Sequence, residues 1–214
     1  MLSKVQIMLT QGTALTIELT LCSLFFGTIL GIILALLKIS KMRACNIFST
    51  LYIWIFRGTP LLLQLFFFYY ALPLINPHLK MSGFAAAVMT FSFNCGAYMS
   101  EIIRGGILAI DKGQFEASKA LGFSYLQTMW KIVLPQTFRV IIPPVGNEFI
   151  SMLKDTSLVS TIALLEIMKT AGNIGSRTFK VPEMLVLAGI FYLFLTTIFT
   201  VVFSFLEKKL SRYA

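Results

Sequence analysis

The chain has 214 residues, of which 57% are hydrophobic and only 13% charged, with 20 Phe and a mean hydropathy of +0.83. A soluble domain carries about 25% charged residues, so a core surrounded by water is excluded and the main solvent must be lipid. The net charge of +9 does not mark a nucleic-acid binder: the basic residues gather at the ends of apolar runs, where anionic head groups and the insertion machinery read them.

A helix needs about 20 apolar residues to cross the hydrocarbon layer. The first qualifying stretch is Leu15 to Leu37. It follows a polar start bearing only Lys4, without the basic region and small-residue cleavage site of a signal peptide, so it is expected to stay on as a helix. Within it, Gly27-x-x-x-Gly31 would permit close helix contact, although a lone pair of this kind arises by chance as readily. The second stretch, Ile47 to Leu72, contains Arg57, and Gly58 and Pro60 mark a bend in it. The loop Pro73–Lys80 carries His78, the one histidine of the chain. The third stretch is Phe84 to Ile103. The fourth, Val140 to Leu165, is the least apolar, and Pro143, Pro144 and Gly146 predict an irregular start to its helix. The fifth is Met184 to Leu206. Cys22, Cys45 and Cys95 are far apart and form no CxxC, which reads as small apolar residues within helices.

Orientation follows from the Lys and Arg of the flanking segments. One side receives Lys38, Lys41, Arg43, Arg104, Lys112, Lys119, Lys131, Arg139, Lys208, Lys209 and Arg212. The other receives Lys4, Lys80, Lys154, Lys169, Arg177 and Lys180. The larger set marks the cytoplasm, with the N-terminus outside, the C-terminus inside and the connection 104–131 cytoplasmic. Five helices make a thin substrate path, and no internal repeat supplies a second half. A second copy or a close relative is therefore expected to complete it.

The cytoplasmic connection is too polar to span and too orderly for a linker. Good helix formers run from Gln114 to Leu121, with Glu116 in the first turn, where the helix dipole favours an acid. Ala117, Ala120, Leu121 and Ser124 recur at helical spacing as a small-residue face that another surface could approach closely, and Gly122 suits the helix end. On physical grounds alone, an interfacial helix lying under its own bundle and a docking helix are equally good readings.

Glu116-Ala117, Gly122 six residues on, and Ile132-x-Leu134-Pro135 resemble the EAA loop of ATP-binding-cassette importer permeases, with Ser118 where that loop usually has alanine. Three further blocks extend the resemblance to the polar amino acid permeases of the histidine, glutamine and arginine type: Arg57-Gly-Thr-Pro-Leu-Leu-Leu-Gln64, Tyr98-x-x-Glu-Ile-x-Arg-Gly-Gly106 and Leu153-Lys-Asp-Thr-Ser-Leu-Val159. The resemblance implies an all-α membrane protein with the type I importer permease fold, whose EAA coupling helix docks on an ATPase subunit through Glu116, Ala117, Ala120, Leu121 and Gly122. It further implies a dimer of ATPase subunits, a second permease that is identical or related, and a solute-binding protein outside the inner membrane of a bacterium. ATP and magnesium would sit on the ATPase. The chain itself is expected to bind no cofactor or metal and to catalyse nothing, since it has no GxxxxGK[ST] phosphate loop and no HExxH. The reading from another class is a passive channel or a structural membrane subunit.

Ionisable groups deep in a membrane cost roughly 2.5–3.5 kcal/mol each on insertion scales, so they face a partner or an aqueous path. Glu148, Ser151 and Asp155 share one face of the fourth stretch, and Asn94, Tyr98 and Glu101 share one face of the third. Glu148, Asn94, Ser151, Tyr98 and Asp155 are therefore the expected substrate contacts. Glu148 is the most central charge and the natural partner of a basic amino acid, with Asn94 or freed backbone N–H groups serving the carboxylate. Glu101 and Arg104 are spaced to pair with each other, and Glu148 has inter-subunit hydrogen bonding as its other role.

Overall fold

The computed structural model of the protein describes residues 2–211, the side chains of residues 2–5, 7, 8 and 211 excepted. Arg212 and the side chain of Lys4, both counted above among the flanking charges, lie outside the described residues. All regular structure in the described part is helical. Helix α1 (Leu2–Ile39) contains the apolar run Leu9–Ile39, which at about 1.5 Å per residue is longer than a layer of roughly 30 Å is thick.

The second apolar stretch is not one straight helix. Helix α2 (Arg43–Gly58) stops at Thr59 and Pro60, both extended, and the chain resumes as α3 (Leu61–Phe66), a π-turn at Phe67–Ala71 and α4 (Leu72–Ile75). The two arms, Arg43–Gly58 and Leu61–Ile75, meet at 102°. Pro60 lacks an N–H and disfavours helical backbone at the residue before it, so the break falls where the sequence places Gly58 and Pro60.

Helix α5 (Gly83–Leu108) starts on Ser82, whose hydroxyl accepts from Ala85 N at 3.2 Å. It is the axis of the bundle, and α1 lies along it. A Cβ placed on Gly27 would come within 2.7 Å of Cys95 Cβ, and one on Gly31 within 2.5 Å of Met99 Cβ. The Gly27–Gly31 pair is thus a true contact seam: removing two side chains lets the α1 backbone reach α5. Leu19, Leu24, Leu65, Phe91, Cys95, Met99 and Met152 form the main core around that seam.

Short helices α6 (Lys112–Ala120) and α7 (Tyr125–Thr128) and a π-turn at Met129–Val133 connect α5 to α8 (Leu134–Asp155). Helix α8 runs unbroken through Pro143 and Pro144, contrary to the irregular start predicted. Helical φ suits both rings, and the interruption is confined to the carbonyls four residues earlier, which lose their donors. The regular helix ends at Asp155 rather than continuing to Leu165: the chain tightens into a 3₁₀ turn at Thr156–Ile162, and Ala163 takes a left-handed φ of 65°. Helix α9 (Ile167–Thr178) begins on Glu166, a fully buried carboxylate that accepts from Met168 N at 2.7 Å, Lys169 N at 2.6 Å and the Tyr192 hydroxyl at 2.6 Å. Helix α10 (Val181–Ser211) closes the chain. By length and composition α1 and α10 can each cross a membrane, and the bent pair can form a third crossing. Helices α5 and α8 are long enough, at ~39 and ~33 Å, but carry more polar residues.

Candidate functional site: a clamped bend, a charged helix face and an exposed short helix

Ending α2 at Gly58 leaves carbonyls without helical donors, and buried amides from two other segments meet them. Gln64 Nε2 donates to Phe56 O at 2.9 Å, Thr59 Oγ1 at 2.8 Å and Thr59 O at 3.1 Å. Asn94 Nδ2, from the middle of α5, donates to Phe56 O at 2.9 Å and to Gln64 Oε1 at 3.1 Å. Rings fix the same point: Tyr52 stacks on Phe56 with centroids 4.4 Å apart, Phe93 meets Phe56 edge-on at 5.7 Å, and the Tyr52 hydroxyl donates to Phe93 O at 2.9 Å. The sharp bend is therefore held rigidly against α5.

Arg57 projects from this clamped turn. Its guanidinium carbon stands 4.9 Å from the centroid of the Tyr98 ring, a cation–π contact to the face of α5 that also carries Asn94. Glu148, half-buried on α8, lies within electrostatic reach of both Arg57 and Asp155. Ser151 and Asp155 are half-buried on the same side of α8, while Asn147 and Lys154 are exposed. The structure thus gathers Tyr98, Glu148 and Arg57 into one charged region. It gives the Asn94 amide hydrogens to the bend, where they stabilise Arg57's platform. Two residues went unassigned from sequence alone. Gln64 had a signal, an amide inside an apolar run. Arg57 stood visibly inside a span, but its Tyr98 contact joins α2 to α5 and leaves no local trace.

A separate hollow of about 660 Å3 between α1, α5, α8 and α10 is lined by apolar side chains such as Ile32, Trp130, Phe138 and Phe203. None of the charged residues above lines it, so it offers nothing to a zwitterion. Glu148, Ser151 and Asp155 of α8 and Tyr98 of α5 lie outside that hollow and stay partly exposed.

At the far end of α5, Glu101 accepts from Arg104 Nη2 at 2.7 Å and from Lys38 Nζ at 2.7 Å, tying α1 to α5. Beyond it lies α6. Asp111 caps the helix by accepting from Gly113 N at 2.7 Å. Gly122, with a φ of 81°, turns the chain out of it while Phe123 N donates back to Ser118 O at 3.0 Å. Phe115 packs into a cluster of Ile107, Ile110 and Val133, and Ser118 is buried beside it. Glu116, Ala117, Ala120, Leu121 and Gly122 all face outward, with Leu121 75% exposed. One side of α6 is fixed to the ends of the long helices and the other is exposed.

The family described as "Binding-protein-dependent transport system inner membrane component" matches residues 27–212. The chain is 42% identical to the L-cystine transport system permease protein TcyB of Bacillus subtilis, covering 96% of this chain and 87% of that protein. It is also 42% identical to the arginine transport system permease protein ArtQ of the same organism, over 94% and 91%. Identity to the putative glutamine transport system permease protein GlnP of Rickettsia bellii is 38%, over 94% and 92%. Among solved structures, a crystal structure of an amino acid ABC transporter with histidines superposes with a TM-score of 0.91 at 33% identity, covering 97% of this chain and 96% of that chain. The MetNI methionine ABC transporter in an inward-facing conformation has a TM-score of 0.75 at 18% identity, over 96% and 97%, which speaks to the fold alone.

Proposed function

Because the chain belongs to the family of binding-protein-dependent transport system inner membrane components, we propose that it forms half of the membrane path of an amino acid importer and that its substrate is a basic amino acid. It is a transport subunit and not an enzyme. Five crossings, by α1, the bent pair α2 to α4, α5, α8 and α10, set the N-terminus outside and the C-terminus in the cytoplasm. A second permease, identical or related, covers the open polar face. A solute-binding protein delivers the amino acid from outside.

Transport is alternating access. ATP, with magnesium, closes a pair of ATPase subunits, and the outward side of α6, Glu116 to Gly122, moves with the subunit on which it docks. Phe115 passes that movement to Ile107 and Ile110 of the α5 end, and through α5 to Tyr98. Asn94 steadies the bend, while Ser151 and Asp155 line the path beyond Glu148.

The observation that carries the choice of substrate is the place of Glu148, a half-buried carboxylate in the second half of α8 with Ser151 and Asp155 on its side. A guanidinium or ammonium side chain gains most from a carboxylate in a site poor in water, and guanidinium can pair with it through two parallel hydrogen bonds. The test is uptake by the complete transporter carrying Glu148→Gln, with arginine and glutamine compared. Arginine uptake falls about 10-fold or more while any glutamine uptake is spared, a loss on the scale of a charge-assisted hydrogen bond. Equal effects on both substrates would remove Glu148 as the determinant of charge selectivity.

A further inference from the structure

We propose that the apolar hollow between α1, α5, α8 and α10 holds one acyl chain of an anionic phospholipid from the leaflet on the α6 side, with the head group on the cations at its mouth. The proposal is independent of Glu148 and of which amino acid is carried. The hollow, about 660 Å3, has Thr28, Ile32 and Leu36 of α1 on one wall and Phe203, Leu206 and Leu210 of α10 on the other. These are the two helices that length and composition alone fit to a membrane. Elsewhere they expose Phe26 and Ile33, and Phe194, Val201 and Phe205, so the hollow opens in a surface made for lipid. Its lining on α1, from Thr28 to Leu36, covers ~12 Å, close to the ~15 Å that one leaflet gives to a hydrocarbon layer of roughly 30 Å. Walls of this kind offer water no partners, and hydrocarbon fills them.

Trp130 and Leu134, which follow α7, put the mouth of the hollow at the α6 end of the bundle. Charge of one prevailing sign surrounds it. Lys131 and Arg139 adjoin the lining residues Trp130 and Phe138, and Lys208 and Lys209 fall between Leu206 and Leu210, against one acid, Glu207. The Lys131 ammonium is held 5.8 Å from the centroid of the Phe123 ring. Trp130 stands beside it and is exposed, as suits an indole in the head-group layer. A basic pocket between membrane helices takes an anionic head group, which an apolar wall alone would not select. Thr137 adds a polar point just inside: it lines the hollow, is 2% exposed, and its hydroxyl has no hydrogen-bond partner among the described residues. A buried hydroxyl needs an acceptor. The ester carbonyls of a phospholipid lie just beneath its phosphate, and Thr137 lies one turn in from the start of α8.

The test is lipid retention by the permease–ATPase complex, purified in detergent, stripped of native lipid and titrated with phosphatidylglycerol or phosphatidylcholine of identical tails. Native mass spectrometry counts the bound molecules. One phosphatidylglycerol per copy of this chain should be retained, at concentrations about 10-fold or more below those that phosphatidylcholine needs. Lys131→Gln combined with Lys209→Gln should weaken phosphatidylglycerol by about 10-fold or more and leave phosphatidylcholine unchanged, since each basic residue at an anionic surface is worth roughly a factor of five. Ile32→Trp fills the hollow without touching charge and should abolish retention, with an unchanged melting temperature to mark the variant as folded. Equal retention of the two lipids by the wild-type complex overturns the proposal, and so does full retention in Ile32→Trp or an undiminished preference in the double lysine variant. A wild-type complex that retains neither lipid overturns it as well. A cross-link between Ile32→Cys of one copy and Phe138→Cys of another would then give the hollow to a second copy of the chain.

Discussion

Gln64 and Asn94, 30 residues apart in sequence, donate to the same carbonyl oxygen, that of Phe56, and Asn94 also donates to Gln64 Oε1. A helix that ends inside a membrane bundle exposes carbonyls that lipid cannot satisfy, and each unmet group costs several kcal/mol. These two amides satisfy the Phe56 carbonyl that the bend at Gly58 and Pro60 leaves without a helical donor.

Replacing Asn94 by alanine leaves Phe56 O with one donor and Gln64 Oε1 without the Asn94 bond, a loss of about 1–3 kcal/mol. Asn94→Asp should be worse than Asn94→Ala, because a carboxylate facing two oxygen acceptors adds repulsion to the lost bonds. Thermal melting of the purified complex in one detergent ranks the three proteins. Asn94→Asp melting above Asn94→Ala would contradict the clamp.

The α1–α5 seam makes a prediction of a different kind. A methyl group on Gly27 would meet Cys95 Cβ and Sγ, each at 2.7 Å, and Ser92 O at 3.2 Å. Atoms so close to the backbone cannot swing aside, so Gly27→Ala should destabilise the bundle by about 1–3 kcal/mol, the usual cost of overpacking. Cys95→Gly removes the two nearest obstacles, and in the double variant most of that loss should return. The readout is a double-mutant cycle on melting temperature, and strict additivity of the two changes would show that the helices do not touch there.

How far the chain could be read from its residues varied with the range of the interaction concerned. Helix α6 and its end at Gly122 were legible because a run of helix formers and a glycine are both local signals, whereas its Asp111 cap was not read from the sequence. Gly58 and Pro60 likewise announced a bend. The 102° angle was not legible, since Asn94, Gln64 and the Tyr52–Phe56–Phe93 rings fix it, and two of those five residues lie on α5. Glu101 and Arg104 were spaced to pair, but Lys38, 63 residues earlier, joins them only once α1 lies against α5. Asn94 was expected to contact the substrate, and its amide hydrogens go to Phe56 O and to Gln64 Oε1. A polar residue in a span must find a partner, but spacing alone does not say which.

Gly122 separates local strain from docking. Its φ of 81° is left-handed, so any side chain there carries roughly 1–2 kcal/mol of backbone strain. No atom of this chain lies within 4 Å of a Cβ built at that position. Gly122→Ala therefore tests the strain by itself, and Gly122→Trp adds bulk at the position where the ATPase subunit is proposed to dock. The alanine variant should assemble and transport nearly as well as wild type. The tryptophan variant should insert in the membrane but lose either the ATPase on co-purification or the link between ATP hydrolysis and uptake. Normal transport by Gly122→Trp would mean that α6 does not dock at this end.

The proposed orientation depends most on α8, which, like α5, composition alone does not license as a crossing. Its 22 residues, Leu134 to Asp155, reach ~33 Å, enough for a layer of roughly 30 Å. Along the way it carries Arg139, Asn147, Glu148, Lys154 and Asp155, a load that a helix surrounded by lipid would not bear. The proposed transporter resolves the conflict, because one side of α8 packs on α5 and α10 while Glu148 faces a path completed by a second permease. If α8 crosses, the segments on either side of it must lie on opposite faces of the membrane. Lys119 on α6 and Lys180 between α9 and α10 are both exposed and suit a single reporter cysteine in a background lacking Cys22, Cys45 and Cys95. A maleimide that cannot enter cells should label Lys180→Cys in intact cells with the outer layer permeabilised, and Lys119→Cys only after the inner membrane is opened. Labelling of both from outside would mean that α8 lies in the interface without crossing. The five-crossing arrangement would then fall, and with it the assignment of α6 to the cytoplasm, where the ATPase must meet it.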